Sequence, residues 1–147
     1  MTIDNQVKFG FPRFHEAQIV TVDDQQALID VPLVHLVENI WKLKIRTLYS
    51  CESQFSTHHG KDSIFISFNS IDDFSRLCHE VLNHCSNRVI KTSIKELGGG
   101  IISDSWNADI HNFRPEHGYA ASLYFPKDQL SLVTEAIALA VKKIPND

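Results

Sequence analysis

Three stretches of this chain repeat their apolar residues at helical spacing, while the segments between them alternate or run as short apolar blocks, so both periods of regular structure occur in one chain. Leu33, Leu36, Val37, Ile40, Trp41 and Leu43 form one such face. Ile71, Phe74, Leu77, Cys78, Val81, Leu82 and Cys85 form a second, and Leu130, Val133, Ile137, Ala140, Val141 and Ile144 a third. Extended segments are expected at 45–51, 63–68, 88–96, 106–113 and 119–125. The order is therefore helix, strand, strand, helix, three strands, helix, with short polar links. That order is not β-α-β alternation; it predicts an α+β domain, with a largely antiparallel sheet of about five strands and three helices packed mainly on one face. A loose echo between two strand-pair-plus-helix halves fits ferredoxin-like duplication. At 147 residues, one domain over 1–147 is expected, with an irregular N-terminal arm over about 1–30.

Local signals set the boundaries. Ile19–Val22 and Ala27–Asp30 flank the polar stretch 23–26 and read as a hairpin, although 27–30 also suits a lead-in to the first helix. Asp30 is placed to cap that helix and Pro32 sits in its first turn. Ser70 or Asp72 can cap the second helix and Asp128 the last. Ser63–Phe68 has bulky residues on both faces, as a central strand does. In 88–96, Val89, Lys91 and Ser93 alternate with Ile90, Thr92 and Ile94, the pattern of a half-exposed strand. Gly98-Gly-Gly100 reads as a hairpin turn, since neither a helix start nor a lysine follows it as a phosphate cradle requires.

Charge and composition exclude several classes. Fourteen Lys and Arg face eighteen Asp and Glu, for a net charge of −4, with no basic run to neutralise phosphates, so nucleic-acid binding is disfavoured. The longest apolar run, Ala136–Val141, is far short of the roughly 20 residues of a membrane span. The amino terminus has no basic and apolar signal pattern, and three cysteines suggest no disulfide framework, so a reduced cytoplasmic protein without a membrane partner is expected. Cys78 and Cys85 should lie inert against the core. Eight histidines would carry the net charge through zero on mild acidification.

The segment Trp41–Gln54 resembles small, mostly uncharacterised bacterial and phage proteins in which a helix ending in Gly-Ile is followed by x-Thr-x-x-Ser-Cys-x-Gly and, after a loop, by a strand ending in x-Phe. Ile45, Thr47, Ser50, Cys51 and Phe68 match; Lys44 and Ser53 stand where that pattern has glycine. The same stretch is more distantly similar to the tRNA wybutosine-synthesis methyltransferase family, a resemblance that would imply RNA modification.

Cys51 would end a strand at the sheet rim, and His58 and His59 occupy the loop that follows. Should that loop fold back, Cys51, His58 and His59 could act as a thiol–imidazole catalytic set, or bind zinc with His111 as a further ligand. The plain alternative is a buried cysteine beside a solvated loop. Glu52, Trp106, Asp109 and Arg114 make a second group, suited to binding a carboxylate or phosphate through Arg114, or simply to an exposed antiparallel face. The reading that follows is a small binding module for an unidentified ligand or protein, as a monomer or homodimer. A zinc- or cysteine-dependent enzyme at Cys51 is its first rival, and an RNA-binding or RNA-modifying protein its second; no cofactor is specified.

Overall fold

Antiparallel pairing sorts the chain into two sheets. The computed structural model describes residues 16–53, 63–98, 106–114 and 118–145. Strands β1 (Ala17–Val22) and β2 (Gln25–Asp30) form a two-stranded sheet. Strands β3 (Thr47–Ser53), β4 (Ser63–Phe68), β5 (Asn107–Arg114) and β6 (Gly118–Pro126) form a four-stranded sheet in the order β3-β4-β6-β5. The helices are α1 (Val34–Lys42), α2 (Ile71–His84), α3 (Arg88–Gly98) and α4 (Leu130–Lys142). The α+β class and the antiparallel sheet agree with the sequence; the expected five strands and three helices do not.

The largest correction is α3, which occupies the segment read as a strand. Alternation of Ile90, Thr92 and Ile94 hides a helical set: Ile90, Ser93 and Ile94 are buried and Leu97 half-buried, while Val89 is exposed. The start signal is Asn87, whose side-chain oxygen accepts from the Ile90 amide at 3.0 Å. Residues 17–30 form the hairpin expected on either side of 23–26, and the part of the expected N-terminal arm before residue 16 lies outside the described residues. Val22 pairs with Gln25 across a turn of Asp23 and Asp24, with Asp23 at φ 53°, a left-handed position that aspartate tolerates.

The connectivity differs from a ferredoxin-like fold. Each half of the main sheet is a hairpin followed by helix, β3-β4 before α2 and α3, β5-β6 before α4, and the second strands of the two hairpins pair at the centre. Ile64, Ile66 and Phe68 of β4 lie in register with Phe125, Leu123 and Ala121 of β6, and all six are fully buried. They meet Leu36, Ile40, Leu77, Val81, Val133 and Ile137 from the helices in one core cluster, with Phe74 packed at its margin. β4 is flanked on both sides, as its two-faced bulk suggested.

Capping follows the sequence in part. Ser70 accepts from the Asp73 amide at 3.1 Å and caps α2. Asp30 makes no side-chain cap, because a 3-10 turn over Val31–Leu33, with Pro32 inside it, precedes α1. Asp128 lies within a similar turn over Lys127–Gln129 instead of capping α4.

The passage from α1 to β3 is closely tied. The Lys44 amide donates to Trp41 and the Ile45 amide to Ile40, the paired bonds of a Schellman end, and the fully buried Ile45 and Ile40 complete it. Lys44 adopts φ 65°, the conformation normally given to glycine at that position. Its ammonium reaches Asp23 at 2.5 Å, and Arg46 reaches Asp24 at 3.1 Å, so the hairpin turn is clamped to the linker. Gln25 donates to the Ile45 carbonyl and accepts from the Thr47 amide. Arg76 of α2 donates to the carbonyls of Leu43 and Lys44 at 2.6 and 3.0 Å, while Asp73 accepts from the Arg46 amide. Trp41 donates its indole N–H to Thr47 Oγ1 at 2.9 Å.

Candidate functional site: a cleft between two helices

The sheet order separates Cys51 from His111, one of the residues proposed around it. Cys51 lies in β3, opposite Phe65 of β4, and His111 lies in β5, opposite Ala120 of β6. These are the two edges of the sheet. Three inter-strand steps of about 4.8 Å put the two backbones roughly 14 Å apart across the sheet alone, against donor distances of about 2.0–2.3 Å in a zinc site. His111 is also displaced along the strand, because the row of Cys51 runs through Phe65 and Tyr124 to Asn107. Glu52, opposite Ile64, alternates with Cys51 along β3. His58 and His59 lie outside the described residues, among which no group of three or more His, Cys, Asp or Glu could hold a metal ion.

The second proposed group is likewise dispersed. Trp106 is fully buried, stacks on Phe125 with ring centroids 5.0 Å apart, and donates its indole N–H to Gln129 at 2.7 Å. It anchors β5 to the start of α4 from within the core. Asp109 is exposed, opposite Ser122, and Arg114 lies opposite Gly118, beyond a register shift. On the sheet rows that alternate with the core rows, Phe65 and Tyr124 pair at 5.0 Å and the buried hydroxyls of Ser67 and Ser122 stand 3.4 Å apart.

A concave surface forms elsewhere, where α3 packs on α2. Phe74, Cys78 and Leu82 recur every four residues on α2, and Ile94 and Leu97 face them from α3. Together with Ser75, His79 and Lys95 they enclose about 300 Å³, at the lower end of the usual range for ligand sites, about 300–1,000 Å³. Phe74 contacts Phe68 edge-on at 5.9 Å, so the cleft floor rests directly on the sheet core. A second, more open depression of about 470 Å³ continues along α2 over Ser75, Arg76, His79 and Glu80.

The electrostatics of the cleft are one-sided. His79 and Lys95 are exposed at its rim, and among the described residues no carboxylate lines it. Burial pushes the Cys78 thiol up to about 12, so at neutral pH it is a protonated, apolar part of the wall and not a nucleophile. Cys85, one turn past Leu82's neighbour Val81, is buried. The helical face that carries Phe74, Cys78 and Leu82 is legible in the sequence; Ile94, Lys95 and Leu97 are not, because the cleft exists only once 88–98 is a helix. Asn87 and the spacing of Ile90, Ile94 and Leu97 are the signals that could have revealed it.

Comparison with protein families, curated proteins and solved structures finds no match to this chain.

Proposed function

We propose that the protein is a binding module that receives an apolar molecule bearing a negative charge in the cleft between α2 and α3. The observation that carries this reading is the composition of the cleft wall: Phe74, Leu82, Ile94 and Leu97 offer apolar area, while, among the described residues, Lys95 and His79 supply the basic groups at its rim. Such a site gains its binding energy from buried apolar surface and its orientation from one charge. The protonated state of Cys78 favours recognition over thiol chemistry here.

The test is titration with anilinonaphthalene sulfonate, an anionic apolar fluorophore, followed by displacement with decanoate. Saturable binding that weakens in Leu82→Glu and in the exposed-site variant Lys95→Glu is expected. Binding indifferent to both substitutions would place the probe elsewhere and end the reading. Metal analysis of the untagged protein checks the rival: stoichiometric zinc lost on Cys51→Ser would move the functional site to Cys51 and the histidines that follow it.

A further inference from the structure

Helix α4 is apolar around most of its circumference, and only part of that circumference is covered. Val133, Ala136, Ile137 and Ala140 are buried, where α4 packs against α1 and α2. A helix apolar on nearly all sides belongs in an interior. Yet Leu132 and Leu139, seven residues apart, remain 38% and 39% exposed, with Glu135 between them and Lys142 beyond, both exposed. At about 100° per residue these four positions fall within an arc of roughly 80° and form one stripe along the outer surface.

The charges on that stripe have a direction. Glu135 and Lys142 are two turns apart, about 10 Å of helix rise, too far to pair with each other. Among the described residues neither takes part in an ion pair. A parallel copy of the helix would set like charges together. An antiparallel copy, related by a two-fold axis between Ala138 and Leu139, sets Glu135 opposite the partner's Lys142 and Lys142 opposite the partner's Glu135. Leu139 then lies beside the axis, next to the small side chain of Ala138, which permits close approach. Two-fold interfaces require a patch complementary to itself, and this stripe is so only in the antiparallel sense.

We infer that the outer stripe of α4 is the contact surface of a symmetric homodimer, held by Leu139 beside the axis and oriented by reciprocal Glu135–Lys142 pairs, with Leu132 at the outer margin of the contact. This inference is independent of the ligand proposed for the cleft, which Leu132 and Leu139 do not line.

Sedimentation equilibrium over a concentration series from micromolar to millimolar tests it. The natural chain should show a reversible monomer–dimer equilibrium that weakens with added salt. Glu135→Lys alone, and Lys142→Glu alone, should each raise the dimer dissociation constant roughly tenfold or more, because like charges across an interface are strongly disfavoured. The double reversal, Glu135→Lys with Lys142→Glu, should restore association close to the original. Unchanged circular dichroism in each variant would confirm that folding is intact. A monomer throughout the series, or a dimer indifferent to the single reversals or not restored by the double one, would overturn the inference.

Discussion

The turn from α1 into β3 and the cleft between α2 and α3 are both built on α2, and they are opposite in construction. At the turn, Arg76, Asp73, Gln25, Lys44 and Arg46 bind the linker backbone or the neighbouring hairpin through directed hydrogen bonds and ion pairs. In the cleft, half-buried apolar side chains meet across open space. The difference teaches where to seek function. Residues 41–54, with Phe68 after them, carry the chain's most distinctive pattern, yet most of the described side chains in it have a task in the fold: Ile45 closes the helix end, Thr47 receives the Trp41 indole and Phe68 lies in the core, while Ser50 is buried with its hydroxyl unpartnered among the described residues. The cleft proposed to take up a ligand lies between two helices of ordinary composition.

Breaking the turn should cost far more stability than altering the cleft. Ile40 is fully buried and forms the apolar contact of the helix end. Ile40→Ala should lose about 2–5 kcal/mol in urea unfolding, through lost transfer energy plus the cavity left behind. The half-buried Leu82, shortened to alanine, should lose distinctly less and keep two-state unfolding. Equal losses would erase the contrast.

Arg76 comes next. Its guanidinium holds two carbonyls that would otherwise end a helix without partners. Arg76→Ala should lose about 1–2 kcal/mol, less than a buried charged hydrogen bond because the side chain is exposed. Arg76→Lys, which cannot bridge both carbonyls with one planar group, should recover only part of it.

Lys44 sharpens the comparison by sign. A left-handed non-glycine residue costs about 1–2 kcal/mol, and an exposed ion pair returns less than about 1 kcal/mol. Lys44→Gly should therefore match or slightly exceed the original stability, whereas Lys44→Ala keeps the strained conformation, loses the bond to Asp23, and should be the less stable by about 1 kcal/mol. Thermal melts of the two variants side by side decide the sign.

The smallest effect lies at Asp24. A direct hydrogen bond from Arg46, and secondly its charge, hold the Asp24 carboxyl below the ordinary carboxylate value. A carboxyl depressed in the folded state stabilises above its unfolded pKa of about 3.9, and that contribution fades as pH falls through the folded value. The amide resonances of Asp24 and Gln25 should move in this acid range, and Asp24→Asn should diminish that movement without altering the rest of the spectrum.

Much of this architecture was legible because strong periodic faces report burial directly. Leu36 and Ile40, Leu77 and Val81, Val133 and Ile137 lie on those faces and are fully buried. Ser70 announced its cap for the same reason: the chemistry is local. α3 is hidden in the sequence because β-branched residues at 89, 90, 92 and 94 mimic strand alternation, and packing on α2 overrides that preference. Lys44 hid its turn, since the left-handed position is filled by a residue that seldom takes it, with an ion pair to a turn residue twenty-one positions earlier. The gathering of Cys51 with His111 depended on strand order, which no local pattern encodes; β5 lies at the edge opposite β3 because β6 pairs with β4.

The division between a structural turn and a receptive cleft can be mapped residue by residue in one titration. Amide resonances of the 15N-labelled protein, followed as decanoate is added, should shift in a saturable manner at Cys78, His79, Leu82, Ile94, Lys95 and Leu97, while Leu43, Lys44, Ile45, Arg46 and Thr47 stay in place. Shifts centred on 43–53 with the cleft residues unmoved would contradict the account.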